Sequence, residues 1–307
     1  MRTKVLITGV AGFIGSNLAK MLLDKGFEVV GIDNLSAGTL ENIPSGVDFQ
    51  QLDIRNKGIY PFFEGMDTVF HLAAKNCLID CLNNPLETSD INVTGTVNVL
   101  EASRQAKVRK FIYADTSAEY EGVAYFPSKV DKTCPLGTYA VSKSAGAGFC
   151  RTYQNLWQMN ITILRYFNVY GPVQDWRRVV PPVMSGFIIK MLKGEQPVIY
   201  GTGEKRRDFI YVDDVNEFHL LAMQDSKTDG KVYNIGSGVN YSVNEVFELI
   251  EGILNSGLKP IYKDELPGEA EITLADISDS IALGWKPKIE VEEGLKRSIE
   301  YIKEKVV

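Results

Sequence analysis

Histidine is nearly missing from this chain. His71 and His219 are the only two among 307 residues, so a Ser-His-Asp hydrolase or a histidine-rich metal centre has almost nothing to be built from. Cysteine is scarce too. Cys77, Cys81, Cys134 and Cys150 form no C-x-x-C pair, which reads as packing thiols rather than a disulfide frame or a zinc site. Cys77 and Cys81 stand four apart, on one face if the segment is helical. Basic charge is in deficit, with 33 Lys and Arg against 39 Asp and Glu, a net charge of −6. That balance argues against nucleic acid as a partner and against an anionic lipid surface. No apolar run approaches the roughly 20 residues of a membrane span, and no cleavable leader pattern opens the chain. The expectation is a cytoplasmic protein with no membrane partner and no bound metal. Internal repeats and low-complexity tracts are also absent.

What is present is the composition of a folded chain, 45% hydrophobic and 23% charged. At roughly 150 residues per domain the length predicts two domains. The first half alternates apolar strand candidates with helical stretches. Strands are expected at 4–8, 28–33, 47–51, 68–72, 110–114 and 161–165, and helices at 15–25, 93–106 and 139–158. Strands apolar on both faces and separated by helices predict an α/β fold, a doubly wound parallel sheet of the Rossmann type. After Gly171-Pro172 the rhythm breaks into turn-rich segments. Ser242-x-x-Glu245 reads as a capping box, and 291–305 as a closing amphipathic helix. The domain reading is a Rossmann domain over 1–170 with a return segment at about 205–235. A smaller C-terminal lobe then takes 171–204 and 236–307.

Thr8-Gly9-Val10-Ala11-Gly12-Phe13-Ile14-Gly15 lies between the first strand and the first helix. In such a loop Gly9 permits a tight turn, Gly12 lets the backbone approach a pyrophosphate, and Gly15 lets the helix pack on the sheet. The helix N-terminus offers free N–H groups to phosphates. Asp33 ends the second strand, 18 residues beyond Gly15. A carboxylate there accepts the ribose hydroxyls of NAD and repels the 2′-phosphate of NADP. Asp53, at the end of the third strand, reads either as an adenine contact or as a surface carboxylate.

Tyr139-Ala140-Val141-Ser142-Lys143 sets a tyrosine and a lysine on one helix face. A free phenol, with a pKa near 10, is a poor base at neutral pH. An ammonium on the same face, next to a positively charged nicotinamide ring, favours the phenolate. Tyr139 thereby becomes a candidate acid/base for a carbinol proton, with Lys143 able to hold the ribose as well.

Taken together these motifs resemble the extended branch of the short-chain dehydrogenase/reductase superfamily, which comprises nucleotide-sugar epimerases, dehydratases and reductases. The resemblance runs through G-x-x-G-x-x-G, His71-Leu72-Ala73-Ala74, Asn92-Val93-Thr94-Gly95-Thr96, 165–172, 207–215, 233–236 and 283–287. It implies that Leu72, Ala73 and Ala74 line the nicotinamide side, and that Phe13, Ile14, Asn34, Ile54 and Tyr166 join Gly9, Gly12, Gly15, Asp33 and Asp53 around NAD. Ala114-Asp115-Thr116-Ser117-Ala118-Glu119-Tyr120 is similar to the branch's S/T-x-x-x-Y-G stretch. That register makes Thr116 the third catalytic group, with Ser117 its neighbour at the substrate. Glu121 stands where the branch usually has glycine.

The same stretch separates reaction types. The 4,6-dehydratases of this branch follow the hydroxyl with Asp-Glu, where this chain has Ser117 and Ala118. Elimination of water then lacks its proton shuttles. The resemblance therefore implies an NAD-dependent nucleotide-sugar 4-epimerase, a nucleotide-diphosphate sugar as ligand and a homodimer formed through helices at 93–106 and 139–158. A 4-ketoreductase, a 5,6-dehydratase, a 2-epimerase and a non-catalytic dinucleotide sensor are the rival readings. Asn168 and Arg207 are the implied diphosphate contacts, Arg207 within a basic Lys205-Arg206-Arg207 run. The branch's usual second arginine is replaced by Leu266, with Glu271 at another often-basic position and Arg177 or Arg178 as the available substitutes. Thr273 stands where glucose-restricted members carry tyrosine, which implies room for a 2-acetamido sugar.

Overall fold

The computed structural model describes residues 3–174, 181–265 and 270–306. The strands in chain order are β1 (Lys4–Thr8), β2 (Glu28–Asp33), β3 (Asp48–Gln51), β4 (Thr68–His71), β5 (Lys110–Thr116), β6 (Ile161–Tyr166) and β7 (Asn168–Tyr170). They continue with β8 (Val198–Tyr200), β9 (Arg206–Tyr211), β10 (Val232–Ile235), β11 (Asn240–Ser242) and β12 (Ile261–Lys263). The helices are α1 (Phe13–Asp24), α2 (Leu78–Asn83), α3 (Pro85–Ser89), α4 (Thr96–Gln105) and α5 (Thr138–Trp157). After them come α6 (Val183–Leu192), α7 (Val212–Gln224), α8 (Val243–Leu254), α9 (Ser278–Ala282) and α10 (Val291–Val306).

The first compact unit comprises 1–123, 130–166 and 216–234. Its seven-stranded sheet runs β10-β6-β5-β4-β1-β2-β3, with β1–β2, β1–β4, β2–β3, β4–β5 and β5–β6 all parallel. Every residue of β4, β5 and β6 is buried, whereas edge strand β3 is partly open. That gradient is what a parallel sheet covered by helices requires. Helix α1 buries Leu18, Ala19 and Leu22 at helical spacing. The strand order reverses between β1 and β4, and in such sheets the crevice at that point receives the ligand.

The second unit comprises 124–129, 167–215 and 235–307. Here β9 pairs parallel with β7 and antiparallel with β11, and β12 pairs parallel with β8. Helices α6, α8 and α10 pack against one another. Ser242 and Glu245 form the expected capping box: Ser242 Oγ accepts from the Glu245 N–H and Glu245 Oε2 from the Ser242 N–H, at 3.1 and 2.8 Å.

Three expectations differ from this. The return into the first unit is 216–234 rather than about 205–235, because β9 pairs with β7 and β11. The first unit correspondingly ends at 166 rather than 170, since β7 belongs to the small sheet. The helix expected at 93–106 begins as α3, passes through a wide π-turn over Asp90–Gly95 and only then becomes α4.

Candidate active site

The glycine loop is built as its spacing predicts. Gly9 has φ +79°, and a Cβ there would lie 2.8 Å from the backbone N of Ala73, so the loops after β1 and β4 touch. A Cβ on Gly15 would lie 2.2 Å from the Gly9 carbonyl oxygen. Gly12 differs: a Cβ there would meet only the Gly9 oxygen, at 3.2 Å, and as N-cap of α1 it supplies no side-chain cap. The first N–H groups of α1, at Phe13 and Ile14, therefore open onto the space that Gly12 leaves.

Asp33 accepts from the Ala11 N–H at 3.0 Å and the Leu35 N–H at 2.8 Å, which fixes its carboxylate beside the loop. Burial pushes its pKa up, against the pull of those two bonds. Asn34 donates to Asp53. Asp53 also accepts from the Arg55 backbone N–H, Nε and Nη2, and these bonds hold its carboxyl far below the usual range. Arg55 in turn pairs with Asp90, so Asp53 sits in a small charged network. Ile54 is buried against Gly95.

At the end of β4, His71 is fully buried between two hydroxyls. Thr96 Oγ1 donates to the Asn92 carbonyl, so it accepts from His71 Nε2–H at 3.0 Å. Thr8 Oγ1 then donates to His71 Nδ1 at 2.7 Å and accepts from the Ala73 N–H at 3.3 Å. Burial, then the Lys143 charge, lower the imidazole pKa to about 3, which keeps it neutral. Leu72, Ala73 and Ala74 follow as a half-buried loop. Asn92, in the π-turn, clamps that loop by accepting from the Lys75 N–H and donating to the Lys75 carbonyl, at 2.8 and 2.9 Å. It also donates to Ser142 Oγ, which donates to the Tyr139 carbonyl. The sequence read Asn92 only as part of a motif, and its clamping role has no local signature.

Helix α5 carries Tyr139 and Lys143 and packs on β5 and on the 3-10 turn Ser117–Tyr120. The approach is close because residue 146 is glycine: a Cβ there would lie 2.2 Å from the Tyr113 hydroxyl oxygen. Tyr139 is half-buried, whereas Lys143 is 2% exposed, with Nζ 4.2 Å from the centroid of the Tyr113 ring. Burial lowers the Lys143 pKa to about 8, against the opposing pull of Asp115, Cys150 and Glu119. Thr116 ends β5 and accepts from the Ala118 N–H at 3.1 Å, which leaves its own hydroxyl proton to donate. Ser117 opens the turn. Glu121 lies in right-handed helical geometry, so glycine is not required there, and its carboxylate accepts from the Gly137 N–H ahead of α5. Tyr166, expected near the cofactor, is buried, with its hydroxyl bonded to His219 Nε2 at 2.6 Å.

In the second unit Asn168 and Thr273 come together. Thr273 Oγ1 accepts from Asn168 Nδ2 at 3.2 Å and from the Asp208 N–H at 3.1 Å. Arg207 donates to the carbonyls of Arg206 and Glu271. Its basic neighbours are ion-paired, Lys205 with Glu265 and Glu271 and Arg206 with Glu245. Arg177, Arg178 and Leu266 lie outside the described residues. Among the described residues no group of three or more His, Cys, Asp or Glu side chains is placed to hold a metal ion, and no helix is long and apolar enough to cross a membrane.

Known proteins match this arrangement along nearly the whole chain. A putative UDP-glucose 4-epimerase of Methanocaldococcus jannaschii is 37% identical over 97% of this chain and 98% of its own length. The structure of the UDP-glucose 4-epimerase of Thermotoga maritima with UDP-glucose superposes with a TM-score of 0.96 at 34% identity, covering 99% of this chain and all of that one. A UDP-N-acetylglucosamine 4-epimerase of Methanobrevibacter ruminantium M1 gives 0.95 at 31% identity, again over 99% and 100%. With residues 5–236 matching the model of the NAD dependent epimerase/dehydratase family, this chain belongs to that family and NAD is its cofactor.

Proposed function

We propose that this chain is a UDP-sugar 4-epimerase in which Tyr139 is the acid/base, Lys143 the cation that makes it basic and Thr116 the hydroxyl that orients the reacting oxygen. One observation carries the reading: the Lys143 ammonium is sunk in the interior, one helical turn beneath Tyr139. A cation removed from water acts strongly on a nearby phenol and favours its ionised form. The glycine loop, the N-terminus of α1 and Asp33 would hold NAD, and the open cradle at Gly12 fits its pyrophosphate. Bound there, NAD would supply the hydride acceptor and donor of the reaction. Tyr139 removes the C4 hydroxyl proton in the first half and returns it in the second. Thr116 donates its hydroxyl proton to the same oxygen, and neutral His71 keeps the loop at Ala73 fixed without adding charge.

The two acids nearest Thr116 do not supply the missing proton shuttles of a dehydratase. Asp115 and Glu119 are both buried and bound to Arg165. In the second unit Asn168 and Arg207 are the proposed diphosphate contacts. Thr273, small and anchored, supports a 2-acetamido sugar of the GlcNAc/GalNAc type. A homodimer formed along α5 completes the reading.

Product NMR on purified protein given UDP-GlcNAc, UDP-glucose or UDP-glucuronate separately tests it. A mixture of C4 epimers is expected, with UDP-GlcNAc turned over fastest and no net change in NADH. A dehydrated sugar, or stoichiometric NADH formation, would contradict the reading; faster turnover of UDP-glucose would remove only the acetamido assignment.

A further inference from the structure

Beneath Thr116 and Lys143 lies a buried set of charges that the reaction as described does not use. Arg165, on β6, is 1% exposed and stands opposite Asp115 in the β5–β6 register. Its Nε donates to Asp115 at 3.0 Å and its Nη1 to the Tyr120 hydroxyl and the Val130 carbonyl, while its Nη2 is ion-paired with Glu119 at 3.0 Å. The Tyr120 hydroxyl in turn donates to Asn234 Oδ1. Two carboxyls thus share one guanidinium, and one oxygen of each, Asp115 Oδ1 and Glu119 Oε1, is buried without a hydrogen-bond partner. A buried carboxylate oxygen left unbonded is costly unless another charge compensates it.

That second charge is on the same face of the strand. Tyr113 and Asp115 are two residues apart on β5 and so project to one side. The Lys143 ammonium lies over the Tyr113 ring, and the Tyr113 hydroxyl donates to the Lys143 carbonyl at 3.1 Å. We propose that Asp115 is a positioning residue of the reaction, the buried counter-charge that keeps Lys143 cationic beside Tyr139. This rests on the roles given above to Tyr139 and Lys143.

The surroundings agree with that assignment. Facing Lys143 are neutral His71 from β4, Tyr113 and Asp115 from β5, Glu119 from the turn, and Tyr139 and Cys150 from α5 itself. Burial raises both carboxyls, but Arg165 and Lys143 draw Asp115 back down. Glu119 is raised to about 7, by burial first and then by the charge of Asp115, against the pull of Arg165, Ser144 and Arg151. The charges of Arg165 and Lys143 both favour the ionised form of Asp115. Burial keeps the Cys150 thiol protonated.

The test is the pH profile of kcat for Asp115→Asn against wild type, at saturating UDP-sugar and with NAD content checked. Asp115 raises the Lys143 pKa, so the alkaline fall in kcat, where Lys143 loses its proton, should move to lower pH by on the order of one unit. KM should be unchanged. An alkaline limb that stays in place, whatever the height of the plateau, would overturn the proposal. Should Asp115→Asn fail to fold, wild-type holoenzyme with 13C-labelled aspartate and lysine takes its place. The Asp115 carboxyl carbon should then titrate with the Lys143 midpoint, and independent midpoints would overturn the pairing. Tyr139→Phe run alongside separates the two claims. If it is inactive while the Asp115→Asn limb does not move, only the role of Asp115 falls; if it stays active, the catalytic reading falls first.

Discussion

Asp33 shows how one side chain sets a cofactor preference through charge and position together. Its two backbone bonds use one lone pair on each oxygen and leave a further one on each for a ribose hydroxyl to meet. Asp33→Asn keeps the shape and removes the charge. Losing charge-assisted bonds worth about 1.5–3 kcal/mol should weaken NAD binding roughly 10- to 100-fold and narrow the preference over NADP. Calorimetric titration of both dinucleotides checks this, and an unchanged preference would contradict it. Other residues were less legible. Asp53 stands where an adenine contact is expected, and its bonds to Arg55, two residues on, could not be read from that position alone. Nothing in the local sequence links Asp115 or Glu119 to Arg165; the pairing exists because the β5–β6 register sets 115 opposite 165, some 50 residues away.

At the scale of elements, α5 has two faces with different work. Ala140, Lys143, Gly146, Ala147, Cys150 and Tyr153 are buried, and the small residues among them let the helix approach β5. Val141, Phe149 and Leu156 point the other way and are 50%, 39% and 66% exposed. An apolar stripe of this kind is what the proposed dimer would bury. Sedimentation velocity should find the protein dimeric, and Phe149→Glu with Leu156→Glu monomeric; a wild-type monomer at about 10 μM would contradict the dimer. The strands were legible because both their faces are apolar, and the β5 and β6 candidates fall short of the observed strands by two residues and one. The π-turn was not legible. Periodicity reports which face is buried, and Asp90–Gly95 keeps that face while Asn92 widens the turn by bonding the Lys75 backbone on both sides.

At the scale of the whole chain, the dinucleotide unit is assembled from three stretches, and the last of them returns only from 216 onward. The alternation of strands and helices announced the parallel sheet. It could not reveal that β7 and β11 flank β9 in a second, small sheet, because those two strands, of three residues each, carry too few positions for a period. What the described chain places in the first unit is a phenol and a buried ammonium on one helix, a hydroxyl at the end of β5 and a dinucleotide cradle. Single-site kinetics of Tyr139→Phe on the preferred UDP-sugar, with bound NAD measured in the same preparation, tests that combination most directly. A fall in kcat of about a hundredfold or more with NAD content unchanged is expected for loss of the general base. Turnover close to wild type would contradict it.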